Sequence, residues 1–410
     1  MSIDADERFW TTRGPSTWPS APDQMTFTAL KEIETCPRRF ALGAANYPHI
    51  WTHAAYPQRL NLASLAGTLV HNVIEAVLSQ LAREGCDHIH SDQTVVVMRR
   101  LGGFSRILED NLSRLLRSYE SNPRVLRTID ATKRLLRAQL PELRARVQGM
   151  LAQIASVSST VGNKGSDAPF SGRAALKQGM HPEVQLHASS IRWRGRADLL
   201  ALSVDHCVIT DFKTGVPAKD HPHQMRAYAV LWKLDSELNP TGRPADRLTL
   251  AYPDGDADVP APTEPELVAL ANELAASRAA AHHAVSQRPP VARVSAENCR
   301  YCSVRQLCGE YWMTSMPAAQ ALGTAFVDVQ LQLRTCQGPT TWECVSLGAV
   351  GLPAGTRVVL RAPERQLLVG ETYRLIDALL LESEPGDTKA VMTLHQAGEC
   401  YRVVPHQPPS

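Results

Sequence analysis

Asp211 and Lys213 stand two residues apart in the run HCVITDFKTG, which otherwise has the apolar character of a strand. Positions i and i+2 of a strand share a face, so the carboxylate and the ammonium are presented together while Phe212 points the other way. Thirteen residues earlier, Asp198 lies in GRADLLAL, on the preceding predicted strand. If the two strands pair antiparallel, both aspartates come within reach of one hard divalent cation such as Mg²⁺, which prefers carboxylate oxygens. The ion would relieve the repulsion between the carboxylates. The Lys213 ammonium would then hold or polarise an attacking water and stabilise charge on a phosphoryl oxygen. A structural ion pair is the plainer alternative, and a lone Asp-x-Lys occurs by chance in many proteins.

Other elements must position this pair. SLAGTLVHNVIEAVLSQLA repeats apolar residues at helical spacing and reads as a core helix, with His71 and Glu75 one turn apart on its other side. The strand-like runs EVQLHASSI, which contains Glu183, RGRADLLALSV and HCVITDFKTG follow one another, the last two joined by a tight turn around Asp205 and His206. HQMRAYAVLWKL is helical and places Gln224 and Tyr228 one turn apart; a strand, RLTLAYP, and a long Ala-rich helix come next. This order predicts an α/β arrangement with one central sheet.

Outside that core, residues 1–24 carry Pro15, Pro19 and Pro22 and read as an irregular lead-in. Thr26 or Thr28 is placed to cap a short helix that Pro37 interrupts. Residues 91–150 read as an arginine-rich helical insertion, with twelve basic side chains against six acidic ones. That surplus suits either a solvated helix surface or a wall that tracks phosphates. Residues 158–180 read as a flexible loop, and 325–405 as five or six strands forming a small all-β barrel.

The bulk composition sets limits. Formal net charge is +2, so a nucleic-acid partner has to be met by local patches. The acidic N-terminus argues against a signal peptide, and no uninterrupted apolar stretch of bilayer-spanning length is evident, which makes a cytoplasmic protein without a membrane partner the expectation. No G-x-x-x-x-G-K-[ST] loop is present, so no ATP-driven motor is expected in this chain. Nine cysteines do not resemble a secreted disulfide framework.

Taken together, GTLVHNVIE, GRADLLAL, ITDFKTG and HQMRAYAVLW resemble, in order, the motifs of PD-(D/E)XK nucleases of the RecB and AddB type. The resemblance implies a restriction-endonuclease-like core over 25–315 that hydrolyses DNA with Mg²⁺ or Mn²⁺. It matches His71, Asp198 and Asp211 to the metal site, Lys213 to catalysis, and Gln224 and Tyr228 to the substrate strand. Glu183 matches a further acidic position in that family, and Glu75 is a neighbouring candidate. An exonuclease acting on single strands or DNA ends is the activity implied, in repair, recombination or phage defence, with any helicase supplied in trans. A non-catalytic DNA-end-binding or assembly subunit is the alternative.

ENCRYCSVRQLCGEYW contributes Cys299, Cys302 and Cys308, a trio that needs a distant fourth ligand. Cys36, before Pro-x-x-Phe, completes a pattern that resembles the iron-sulfur staple of AddB-like nucleases and implies a [4Fe-4S] cluster. Zn²⁺ suits four thiolates as well. The remaining cysteines, Cys86, Cys207, Cys336, Cys344 and Cys400, are expected to be buried small hydrophobes. The resemblance stops short of residues 320–408, whose predicted strands could form an OB-like barrel for single-stranded DNA or a protein-docking surface.

Overall fold

The computed structural model describes residues 9–48, 50, 52–86, 91–154, 173–314, 325–348, 350–363, 366–381 and 389–404. Helix α1 (Phe27–Thr35) is capped by Thr26, whose hydroxyl accepts from the Ala29 N–H. Pro37 opens α2 (Pro37–Ala44), where its missing N–H costs nothing. Asn61 caps α3 (Leu62–Arg83), whose predicted apolar stripe is buried from Leu65 to Leu81. By length and composition α3 could cross a bilayer, an exception to the sequence expectation; here its apolar side chains form the centre of a core.

The α4 (Asp92–Arg100), α5 (Gly103–Arg117) and α6 (Ile129–Ala152) helices surround α3. A five-stranded sheet follows: β1 (Gly179–Ala188), β2 (Trp193–Leu202), β3 (Cys207–Phe212), β4 (Arg247–Tyr252) and β5 (Gly255–Val259), paired in that order. The first three form an antiparallel meander. Helix α7 (His221–Leu234) crosses over so that β4 lies parallel to β3. The β5 strand was not anticipated; its charged, exposed residues blunt the sheet edge. One face of the sheet packs on α1, α7 and α8 (Glu264–Ser286), the other on α3 and the helices around it. The result is an α/β/α core.

After α9 (Ala296–Arg300) and α10 (Gly309–Met313), a second sheet contains β6 (Phe326–Gly338), β7 (Thr341–Ser346), β8 (Arg357–Arg361), β9 (Thr372–Leu381), β10 (Lys389–Thr393) and β11 (Glu399–Arg402). Its order is β10-β8-β7-β6-β9-β11, and β10 also pairs with the last three residues of β9. The β11 strand pairs with the first half of β9.

The two sheets are joined by a shared core and by buried charge. Phe9, Tyr56, Trp312, Ile376 and Tyr401 pack together. The Arg124 guanidinium donates to both oxygens of Glu399 at 2.9 and 2.8 Å, and Arg305 binds Asp328 and Asp377. Arg124 therefore belongs to no phosphate-tracking wall. Arg100, Arg106, Arg137 and Arg146 are paired with acidic side chains, and none of the twelve basic residues of 91–150 lines the cleft described below.

The lead-in is irregular but anchored, with Phe9 buried, Thr11 bridged to Arg402, and Met25 bridged to Trp193. Residues 158–172 of the expected loop, and the junction between the expected nuclease and C-terminal regions, lie outside the described residues. Its last two positions, Gly179 and Met180, open β1 instead. Cys336 is exposed, unlike the other four scattered cysteines.

Candidate active site

The sheet register places three carboxylates in a row. Pro182 pairs with Leu199 and Val184 with Ala197, which sets Glu183 across from Asp198. Leu199 pairs with Thr210, so the next step along the same register sets Asp198 across from Asp211. Residues opposite each other on neighbouring strands have Cβ atoms about 5 Å apart. Glu183 also has φ +55°, a left-handed conformation that a non-glycine residue rarely adopts within a strand.

Two close approaches bring helices onto this row. A Cβ on Gly67 would lie 2.7 Å from Thr214 Oγ1, so the glycine lets α3 approach the end of β3 and delivers His71 one turn later. A Cβ on Gly195 would lie 2.9 Å from the Tyr228 ring and 2.8 Å from Leu231, so β2 admits α7 only because that residue has no side chain.

The expected residues meet in a cleft of about 860 Å³ lined by His71, Asp198, Asp211, Lys213, Gln224 and Tyr228. Lys213 Nζ lies 2.6 Å from Asp211 Oδ2 and donates to Gln224 Oε1 at 2.9 Å; Gln224 Nε2 donates to Tyr228 Oη at 2.8 Å. The Phe212 N–H donates to Asp198 Oδ2 at 2.7 Å, and His71 Nδ1 stands 3.6 Å from the same oxygen. Glu183 Oε2 lies 2.7 Å from Arg196 Nε.

These contacts leave the acidic groups short of partners. Asp211 Oδ2 and Glu183 Oε2 are buried without a hydrogen bond in acceptable geometry, despite the nearby cations. Burial, with the charge of Asp211 beside it, holds the Asp198 carboxyl well above the usual aspartate range. Burial also raises Glu183, opposed by Arg196 and reinforced by Glu75 and Asp211. Burial lowers His71, which leaves its imidazole neutral and able to act as a ligand. It raises Tyr228, so the phenol stays protonated.

Among the described residues, no three His, Cys, Asp or Glu side chains stand close enough together to hold an ion without rotating. The donor set nonetheless fits a hard divalent cation: two buried carboxylate oxygens lacking hydrogen bonds, a third carboxyl raised by its neighbour, and a neutral imidazole. Neither Glu75 nor Glu183 lines the cleft, though the charge of Glu75 acts on Glu183. Arg196 and His221 also line the cleft and were not singled out from the sequence. Arg196 lies within the GRADLLAL motif itself, two residues before Asp198, which is the signal that could have found it.

The four expected cysteines also come together. Cys36, Cys299, Cys302 and Cys308 line one small cavity of about 20 Å³, though Cys36 is separated from the trio by most of the chain. The N–H groups of Arg39 and Arg293 point at Cys36 Sγ, each at 3.4 Å. Burial pushes Cys302 up to about 11 and Cys308 up to about 12, so a metal would have to displace protons from both thiols. Four thiols are the donor type that a thiolate-bound metal or cluster requires, but as they stand, among the described residues, they are not gathered closely enough to hold one.

No curated protein matches this chain. Comparison with protein families matches residues 24–309 to the PD-(D/E)XK nuclease superfamily, a span that includes both the carboxylate row and the cysteine trio. With this match over most of its length, the chain belongs to the PD-(D/E)XK nuclease superfamily.

Proposed function

We propose that this protein is a Mg²⁺- or Mn²⁺-dependent DNA nuclease that degrades single strands or DNA ends. The observation that carries this reading is the row Glu183, Asp198 and Asp211, with two buried oxygens lacking hydrogen bonds, of which Asp198 and Asp211 line a cleft together with Lys213. Asp198, Asp211 and His71 would hold the cation, and Glu183 would join them. When bound, the cation would polarise the scissile phosphate and lower the pKa of a water.

The protein's own groups do the rest. Lys213 is held against Asp211 and donates a hydrogen bond to Gln224, so its third N–H is left for a water or a phosphoryl oxygen. Gln224 and Tyr228 form the relay that fixes the ammonium, and their polar ends line the cleft where a strand would lie. The phenol remains a hydrogen-bond donor through the neutral pH range.

The test is degradation of end-labelled single- and double-stranded DNA with Mg²⁺ or Mn²⁺, by the parent protein and by Lys213→Ala. Metal-dependent cleavage that disappears in the variant supports the reading, and the product ladder gives polarity. DNA binding without cleavage under every metal condition, unchanged by the substitution, would replace it with a non-catalytic end-binding subunit acting with a helicase or another partner.

Cys36, Cys299, Cys302 and Cys308 are proposed to form a structural staple that ties α2 to the segment following α8. A [4Fe-4S] cluster is the proposed occupant, on the family resemblance and the four-thiolate donor set; Zn²⁺ is the competitor. Anaerobic purification followed by iron, sulfide and zinc analysis separates the two. For the C-terminal sheet, the pairing run β6-β7-β8-β10-β9, with β9 returning to β6, supports an OB-like barrel.

A further inference from the structure

A second cleft, of about 790 Å³, runs between the start of α3, the cysteine segment and the C-terminal sheet. Ser64 lines both this cleft and the one around Asp211. Both spaces therefore border the first turn of α3, where the helix presents the positive end of its dipole.

The lining of the second cleft combines exposed rings with positive charge. Tyr301 is 72% exposed and Phe326 is 46% exposed, both in the concave wall. The Arg300 guanidinium sits 5.3 Å from the centre of the Tyr301 ring and has no acidic partner among the described residues. Arg39 is ion-paired with Glu32 at 3.8 Å, but its Nε has no hydrogen-bond partner. The acidic groups of the wall are already engaged: Arg305 holds Asp328 and Asp377, and Arg59 lies 2.6 Å from Asp377.

We propose that a single strand of DNA continues from the nuclease cleft past Ser64 into this second cleft, its bases stacked on Tyr301 and Phe326 and its phosphates near Arg39 and Arg300. The proposal rests on the nuclease reading above and extends it to the path of the substrate. Single-stranded nucleic acid matches the lining because every unpaired base offers a ring face to an aromatic side chain, whereas a duplex keeps those faces in its own stack. The shared wall at Ser64 supplies the strand: a chain leaving the nuclease cleft over the first turn of α3 reaches these rings next.

Length dependence follows. A short strand fills the nuclease cleft alone, and a long one also engages the rings. Full-length protein carrying Lys213→Ala, to spare the substrate, is titrated with labelled oligothymidylates of about 5 and about 20 nucleotides, chosen to lie below and above the span of one such groove. Tyr301→Ala and Phe326→Ala should each weaken binding of the long strand about tenfold, the loss of one stacked base. The short strand should bind as before, and Tyr301→Phe, which keeps the ring, should bind both like the parent. A long strand carrying photoreactive thymines should cross-link to the peptide containing Tyr301.

If both alanine variants bind the long strand like their parent and no such cross-link forms, the inference falls, while the nuclease reading stands so long as unmutated protein cleaves DNA. If unmutated protein neither binds nor cleaves DNA, both fall together. Equal weakening of short and long strands would report damage to the fold, and the cross-link on unmutated protein then decides the proposal in either direction.

Discussion

Two clusters of buried acid and base lie in this molecule, and they are finished to different degrees. Where the sheets meet, Glu399 receives two hydrogen bonds from Arg124 and one from Tyr401, and Asp328 is held by Arg305 and by the Tyr311 hydroxyl. In the cleft and on the strand beside it, Asp211 and Glu183 each bury an oxygen without a hydrogen bond although a cation is near. Electrostatics follows the same division. Although it is buried, Glu399 is held below the usual glutamate range by Arg124, while burial and Asp211 drive Asp198 upward. Satisfied charge fixes two layers against each other; in the cleft the charge is left unsatisfied by the protein's own groups.

The largest expected effect of breaking this contrast is catalytic. Asp211→Asn should reduce cleavage on the order of 10³-fold, the scale of losing a principal electrostatic group, and should leave the unfolding midpoint nearly unchanged. Steady-state cleavage of end-labelled DNA, set beside a denaturant melt of the same preparation, checks both halves.

Arg124→Ala should do the reverse. Leaving Glu399 in the interior with only Arg59 and the Tyr401 hydroxyl costs about 3 kcal/mol, read as a lower urea midpoint, while the protein that remains folded should cleave at its usual rate.

The pH dependence sharpens the comparison. Because the folded state raises Asp198, its contribution favours folding in acid and is lost as pH rises from the unfolded aspartate value through the raised one. Asp198→Asn should therefore raise the melting temperature of metal-free protein by a few degrees near neutral pH, and the gain should shrink in acid. Glu399 has the opposite sign: its contribution is present above the unfolded glutamate value and is lost as pH falls through the lowered one. Glu399→Gln should accordingly destabilise the protein at neutral pH and converge on the parent in acid. Thermal melts across pH in chelator, with both variants, would break the contrast if the two profiles had the same slope.

The smallest effect is geometric. Gly195→Ala puts a methyl group against Tyr228 and Leu231, which should cost about 1–3 kcal/mol and displace the Tyr228 hydroxyl that Gln224 donates to. A modest fall in cleavage that exceeds the loss of folded protein is the expected result. Cleavage that tracks folded protein alone would confine Tyr228 to packing.

Much of the site was legible because its determinants are local. Asp198 and Asp211 lie on consecutive strands joined by a short turn, so pairing the strands suffices to oppose them. His71 follows from the stripe that buries α3, since the residues off that stripe must face elsewhere. Gln224 and Tyr228 are one helical turn apart and interact as that spacing requires. Glu183 was legible only through the family resemblance, and its positive φ is a backbone property that no side-chain pattern announces. Arg124 was misread for a related reason. In a row of arginines, composition cannot distinguish the one that will be enclosed against Glu399 from those left in water.

The sequence by itself determined the elements and their periodicities, the hairpin that opposes two aspartates, and the types of donor available to a metal. Only the tertiary structure decided which distant residues share a space. Cys36 reaches its trio, and Arg124 reaches Glu399, across intervals on which periodicity carries no information. The structure also decided which charges are satisfied, and the reason is physical. The cost of a buried charge depends on every neighbour the fold supplies, and in the cleft those neighbours stop short.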